Sequence, residues 1–186
     1  MKEKLLGKSL EELREAAAGC GLKPFVGKQL ADWLYVKRVR SWDRMVNISK
    51  AARERLAESF DLGTAAPAGR ALSSDGTAKY LFPVACRRPD GIEESMVEAV
   101  MIPDDERKTV CVSSQAGCRM GCRFCMTGRQ GFHGNLSRAD ILNQFVSIDE
   151  AMDLSNAVFM GMGEPMDNYS EVSAAIKVLT APWGFA

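Results

Sequence analysis

Three of the six cysteines, Cys118, Cys122 and Cys125, fall within eight residues in the run Cys-Arg-Met-Gly-Cys-Arg-Phe-Cys. The chain opens without the apolar core of an export signal, and thiols clustered this tightly in a reducing compartment read as metal binding or catalysis rather than disulfide bonding. Structural zinc takes four protein ligands, commonly as two separated pairs, and closes its coordination shell. No second pair follows, and His133, the only histidine, stands eight residues past Cys125 at no familiar finger spacing. Cubane iron–sulfur clusters that only carry electrons also take four thiolates. Three thiolates on one tight loop leave one iron without a protein ligand, and a substrate or cofactor can bind there. Zinc stays open as the alternative.

Other positions carry weaker signals. Glu98 lies in Val97-Glu-Ala-Val-Met-Ile-Pro103; a carboxylate flanked by apolar residues is first of all the solvent side of a two-period strand. Cys111 reads on its own as a buried core thiol, as do Cys20 and Cys86. In Gly161-Met-Gly163-Glu164, glycine lets the backbone approach a ligand and the carboxylate can accept a hydrogen bond from an amine. Without context, a Gly-x-Gly after a strand is a weak ligand signal.

These residues need elements to position them. Ser9 and Glu12 form a capping-box pattern before Leu10, Leu13 and Ala17, with Gly19 as the stop. Pro24 opens a second helical stretch through Leu30, Trp33 and Leu34, and Asn47-Ile48-Ser49 caps a third bearing Ala52, Leu56 and Phe60. Residues 1–62 therefore read as a helical domain, 63–69 as a linker, and 70–186 as a sheet-based domain. In the last, Ala71–Ser73 and Lys79–Val84 flank a Ser74-Asp75-Gly76-Thr77 turn, and Glu94–Ile102 and Thr109–Ser113 follow as strands. The pattern then alternates: a long loop over 115–136, a helix over 137–152, a strand over 156–161, a loop over 162–167 and a helix over 168–180. The fold class is α+β, then α/β with a parallel strand pair. Two strand–helix units cannot close a barrel, which leaves Val158-Phe159-Met160 on a sheet edge and makes the chain read as part of something longer.

The 186 residues are 46% apolar and 26% charged, which excludes a disordered or collagen-like chain. No apolar stretch approaches the ~20 residues that span a bilayer, so a soluble cytoplasmic protein is expected. The zero net charge hides an asymmetry. Residues 1–60 hold 13 Lys and Arg against 8 Asp and Glu, and the remainder holds 11 against 16. The basic end, with Lys23, Lys28, Lys37, Arg38, Arg40, Arg44, Lys50, Arg53 and Arg55, suits an anionic partner, although a solvated helical face accounts for charge alone.

The C-x3-C-x-aromatic-C run at a strand end resembles that of the radical S-adenosylmethionine (radical SAM) enzymes. Thr109-Val-Cys-Val-Ser-Ser-Gln-Ala-Gly-Cys118, Cys125-Met-Thr-Gly-Arg-Gln-Gly-Phe132 and Asn135-Leu136 are similar to one branch, the dual-specificity 23S rRNA and tRNA adenine-C2 methyltransferases. Phe159-Met-Gly-Met-Gly-Glu-Pro165 with Asn168-Tyr169 resembles that family's cofactor loop. Gln29-Leu-Ala-Asp-Trp-Leu-Tyr35 and Met45-Val-Asn-Ile-Ser-Lys50 resemble its helical RNA-binding domain. The likeness runs along nearly the whole chain.

The resemblance implies a small helical accessory domain before the first part of a radical SAM (βα) barrel. It implies a [4Fe-4S] cluster on Cys118, Cys122 and Cys125, with S-adenosylmethionine held by Gly161, Gly163 and Glu164. It makes Glu98 the general base, a role that burial would suit by raising its pKa. It gives Cys111 a part in resolving a covalent RNA–enzyme adduct with a second cysteine near the C-terminus. Arg119 and Arg123 would offset thiolate charge, and Phe124 would pack against the cluster. The implied reaction methylates C2 of adenosine through a methyl-cysteine, with 23S rRNA and tRNA as partners and a flavodoxin-like electron donor. Two departures stand out. The family's methyl-carrying cysteine lies beyond residue 186, so this chain alone is expected to be inactive, and Gly134 occupies a position where the family commonly has a basic residue. An adenine-C8 methylating relative and a non-catalytic RNA-binding fragment remain the alternatives.

Overall fold

The computed structural model describes residues 2–88 and 91–185. Local signals set the N-terminal helices. Ser9 Oγ accepts the Glu12 amide and Glu12 returns a bond to the Ser9 N–H, opening α1 (Leu10–Gly19). α2 (Phe25–Ala31) starts after Pro24 and continues as a π-helical turn over Asp32–Val36, and Ser49 caps α3 (Lys50–Ser59). Leu13, Leu30, Leu34 and Leu56 from these segments are fully buried. The sequence pattern missed a pairing: β1 (Glu3–Lys4) lies parallel to β2 (Phe60–Asp61), so Phe60 leaves the helix and closes the helical region on itself.

The second region begins as an antiparallel meander of β3 (Gly69–Leu72), β4 (Ala78–Arg88), β5 (Gly91–Asp104) and β6 (Arg107–Cys111). The expected hairpin turn at Asp75-Gly76 is present, with Asp75 accepting the Thr77 amide. The chain then forms β7 (Gln115–Gly117), α4 (Met126–Arg129) and β8 (Phe132–Asn135). It crosses through α5 (Arg138–Val146) to β9 (Asn156–Val158), which joins β6 in parallel, and ends in α6 (Tyr169–Leu179). Sheet order is β3-β4-β5-β6-β9, so β9 is the expected edge.

Alternation decides what each face does. Tyr80, Phe82, Val97, Ala99, Met101 and Val110 enter a continuous core shared with Ile141, Leu142 and Phe145 of α5 and Val172, Ala175 and Val178 of α6. The other face carries Lys79, Leu81, Glu98, Val100 and Cys111, none of them buried. At the junction, Tyr35 Oη donates to the Lys8 carbonyl at 2.6 Å and accepts the Gly7 amide at 3.1 Å. Its ring meets Trp183 at 5.8 Å and Phe185 at 5.7 Å.

Three expected elements differ. The helix expected over 137–152 ends at Val146, because Asp149 and Glu150 turn back to the sheet: the Asp149 N–H and the Glu150 carboxylate both bond Tyr80 Oη. The strand expected over 156–161 is regular only to Val158, although the Gly161 amide still bonds the Val112 carbonyl and the Met162 carbonyl accepts the Ser114 amide. The loop over 115–136 contains two strands and a helix. The 63–69 segment is strapped down where the Asn143 carboxamide exchanges two hydrogen bonds with Ala65 and where the Ala68 amide bonds the Leu81 carbonyl. No helix among the described residues is long and apolar enough to cross a membrane.

Candidate active site

The cysteine loop leaves the sheet through Val112-Ser113-Ser114, all buried. Its neck is the antiparallel pair β7–β8, with Gln115 opposite Asn135 and Ala116 opposite Gly134. Gly117, at φ +70°, turns the chain out of that pair in the left-handed region that side chains disfavour, and the Cys118 amide bonds the Gly131 carbonyl at 3.0 Å. Beyond the neck the loop is exposed. Phe124 is 91% exposed and Cys122 lies open, with Cys118 and Cys125 half-buried.

Cys125 caps the short helix α4. The Gly128 N–H beside its sulfur holds this thiol below the ordinary thiol range; burial opposes, and Thr127 adds. None of the six cysteines forms a disulfide. Among the described residues, no three His, Cys, Asp or Glu side chains are gathered closely enough to hold a metal ion. The loop thus brings three thiols to one exposed segment without drawing the sulfurs together. The donor set itself fits an iron–sulfur cluster: three unbridged thiols on one exposed loop. Ligation would then also order the loop.

The charges around the loop differ from expectation. Arg119 is engaged by Asp167, Nε to Oδ2 at 2.8 Å, and its guanidinium lies 3.9 Å over the Phe132 ring, so it does not stand beside the thiols as an uncommitted cation. Phe124, expected to pack against a cluster, faces solvent. His133, within the segment expected as a long loop, sits on β8 with Nδ1 at 2.8 Å from the Glu93 carboxylate.

The Gly161–Glu164 loop lies flat against this neck. A Cβ on Gly161 would stand 2.7 Å from the Val112 carbonyl oxygen, and one on Gly163, at φ +96°, 2.5 Å from the Gln115 Cβ. The Met162 amide donates to Ser113 Oγ and its carbonyl accepts the Ser114 and Gln115 amides. Buried Asn168, just before α6, donates to the carbonyls of Ser114 at 2.8 Å and Leu136 at 2.9 Å, clamping both sides of the neck. The Gly-x-Gly signal was legible in sequence. The clamps Gln115 and Asn168 were not, because an isolated carboxamide has no pattern.

Glu98 and Cys111 project from the same open face. Cys111 is opposite Val100 in register, one pleat beyond Glu98. Glu98 is half-exposed and pairs with Lys79 at 2.7 Å, so the burial expected of a base is not met: the face above it is open. Burial pushes the Cys111 thiol up, opposed by the Met160 amide, and keeps it a neutral thiol near neutrality.

A cleft of about 1050 Å³ runs along the outer side of the neck, between β1, β8 and the starts of α5 and α6. Three of its cations are matched, Lys4 with Asp140, Arg119 with Asp167, and Arg138 with Glu12, and Lys2 bonds the Ala57 carbonyl. In the helical region Lys37, Lys50 and Arg53 pair with nearby carboxylates, and Arg40 reaches across to the Ser147 carbonyl.

Residues 3–62 match the family model of the ribosomal RNA large subunit methyltransferase N-terminal domain, and residues 112–183 match that of the radical SAM superfamily. A protein of Porphyromonas gingivalis named probable dual-specificity RNA methyltransferase RlmN is 54% identical over 97% of this chain and 51% of its own length. A protein of the same name from Phocaeicola vulgatus is 48% identical over 99% of this chain and 51% of its own. The crystal structure of a radical SAM methyltransferase from Sphaerobacter thermophilus superposes with a TM-score of 0.86 at 33% identity, covering 98% of this chain and 53% of that one. The chain spans about half the length of the curated relatives it matches. With both segments matched in that order, the chain is similar, along nearly its whole length, to about half of each of these methyltransferases.

Proposed function

We propose that this chain forms the RNA-docking and cofactor-binding part of a radical SAM methyltransferase that methylates C2 of adenosine in 23S rRNA and tRNA. One observation carries the reading: the loop bearing three thiols and the Gly161–Glu164 loop are bound to each other through their bases, as two halves of one site must be. Cys118, Cys122 and Cys125 would hold a [4Fe-4S] cluster, and Gly163 and Glu164 would hold S-adenosylmethionine. When bound, the cluster supplies the single electron that splits the cofactor, the radical route that an electron-poor carbon such as adenine C2 requires.

The remaining roles belong to the chain. The Gly161 and Gly163 backbone leaves a ligand room to approach, and the Glu164 carboxylate can accept from its ammonium group. Glu98 on the open face, beside Lys79, is the proton acceptor of this reading. Cys111 offers a neutral thiol on that same face. The basic helical region grips RNA backbone while the target base is taken from its stack.

Anaerobic reconstitution of this chain with iron and sulfide tests the reading. About four iron and about four sulfide per chain, with a brown chromophore lost in Cys122→Ala, is the expected result. Stoichiometric zinc without charge-transfer absorption would overturn it, and RNA affinity with steep salt dependence but no chromophore would reduce the chain to an RNA-binding module.

A further inference from the structure

Gln115 occupies an unusual position for a carboxamide: it is fully buried at the base of an otherwise exposed loop, and every arm is used. Its Oε1 accepts the Glu164 backbone amide at 2.9 Å. Its Nε2 donates to Asn135 Oδ1 and to Asp167 Oδ2, each at 2.8 Å. The amide orientation follows from chemistry: a backbone N–H can only donate and a carboxylate can only accept, so oxygen must face Glu164 and nitrogen Asp167. Its own backbone N–H reaches the Met162 carbonyl at 3.2 Å, and Gly163 lies against its Cβ. Asp167 in turn holds Arg119, the residue next to Cys118. One side chain therefore fixes the Glu164 backbone, the β8 side of the neck and, through Asp167, the first turn of the cysteine loop.

We propose that Gln115 is the positioning residue that sets the Gly161–Glu164 loop against the cysteine loop, and so fixes the distance between cofactor and cluster. The inference rests on the function proposed above. Gln115 acts through Glu164 and Asp167. A shorter or apolar side chain would leave the Glu164 N–H and Asn135 Oδ1 without this partner and Asp167 Oδ2 with Arg119 alone, in a part-buried place. The two loops would then be held by the Ser113, Ser114 and Asn168 bonds and by the backbone bonds of Gly161 to Val112 and of Gln115 to Met162.

The test compares wild type, Gln115→Met and Gln115→Glu, each reconstituted anaerobically. Gln115→Met keeps volume and removes all three bonds. Gln115→Glu keeps an acceptor for Glu164 and puts a second carboxylate beside Asp167. Three quantities are read: iron and sulfide content, the affinity for S-adenosylmethionine, and the change in the electron paramagnetic resonance spectrum of the reduced cluster when S-adenosylmethionine is added. The expected result is unchanged iron and sulfide content with affinity weakened roughly tenfold, the scale set by the loss of hydrogen bonds at part-buried groups. The spectral change on cofactor addition should be smaller or altered in Gln115→Met. Wild-type affinity and an identical spectral change in a folded, loaded Gln115→Met would overturn the inference and leave the proposed function standing. A wild type that loads no cluster would sink both. Where a variant loads no cluster, hydrogen exchange of the Glu164 amide in the unloaded chain decides: protection in wild type and its loss in the variant support the inference, and equal protection overturns it.

Discussion

Gly134 lies directly against Cys86: a Cβ built on Gly134 would stand 2.6 Å from the Cys86 Cβ and 3.1 Å from its sulfur. Both residues are buried, one on β8 and one on the core face of β4. A glycine at position 134 is what this contact requires. Next to Cys86 there is no room for any side chain, and a basic residue there would have to displace a central strand.

Gly134→Ala should therefore destabilise the chain by about 1–3 kcal/mol through overpacking. The partner substitutions separate the two contacts. Cys86→Gly removes the Cβ and should recover much of the loss in the double variant, whereas Cys86→Ala removes only the sulfur and should recover little. Urea unfolding of the two double-mutant cycles reads the coupling; additive effects in the cycle with Cys86→Gly would show that the two positions do not collide.

The helical region and α5 are joined by a two-pronged ion pair. Arg138 reaches Glu12 at 2.7 and 3.2 Å, while Glu12 also closes the α1 capping box. Burial alone would raise the Glu12 pKa, but the hydrogen bonds from Arg138 and Ser9 and the Arg138 charge outweigh it and hold the carboxyl below its ordinary range. The unfolded chain consequently takes up this proton first as pH falls. The stabilisation is complete above about pH 5–6 and drains away as pH drops through about 4 and below. Melting temperature followed from neutral to acidic pH should show this slope in wild type and a flatter one in Glu12→Gln. Parallel curves would mean that the pair adds nothing to acid stability.

Tyr35 ties the first residues of the chain to its last aromatic segment. Tyr35→Phe keeps the ring contacts with Trp183 and Phe185 and leaves the buried Lys8 carbonyl and Gly7 amide unmatched, a cost of about 1–3 kcal/mol. Tyr35→Leu loses the ring contacts as well and should cost more. Equal midpoints for the two variants in urea would show that Trp183 and Phe185 pack there without stabilising.

What the sequence made legible depended on periodicity. The capping box at Ser9, the turn at Asp75-Gly76 and the alternation of β4 and β5 are local signals, and each element forms where its residues predict. The cysteine spacing is likewise local. The neck of the loop is not: Gln115–Gly117 and Phe132–Asn135 are short, polar and glycine-rich, and they become strands only because their partners are delivered by the fold. Helix α5 stops early for a similar reason, since Tyr80, some 70 residues away, captures the residues that would have continued it. Glu98 shows the limit on the functional side. Its type and strand were readable, but its exposure follows from what covers the sheet, and that is a tertiary fact.

Asn168 offers the sharpest test of how the two loops are held. Its Nδ2 supplies both donors of the clamp, to Ser114 and Leu136, and the residue is 4% exposed. Asn168→Asp preserves shape and replaces two donors with a carboxylate facing two carbonyl oxygens, so attraction becomes repulsion at an unchanged volume. The loss should be about 2–4 kcal/mol, above that of a simple deletion of the side chain, because a buried charge is added to two unmatched carbonyls. Asn168→Ala, which leaves the carbonyls unmatched but adds no charge, should fall between. Freed from its clamp, the neck should also open locally, and trypsin should cut at Arg119, Arg123 and Arg129 faster in Asn168→Asp under conditions where the rest of the chain stays folded. If Asn168→Asp and Asn168→Ala unfold at the same urea midpoint and are cut no faster than wild type, the clamp does not hold the loop.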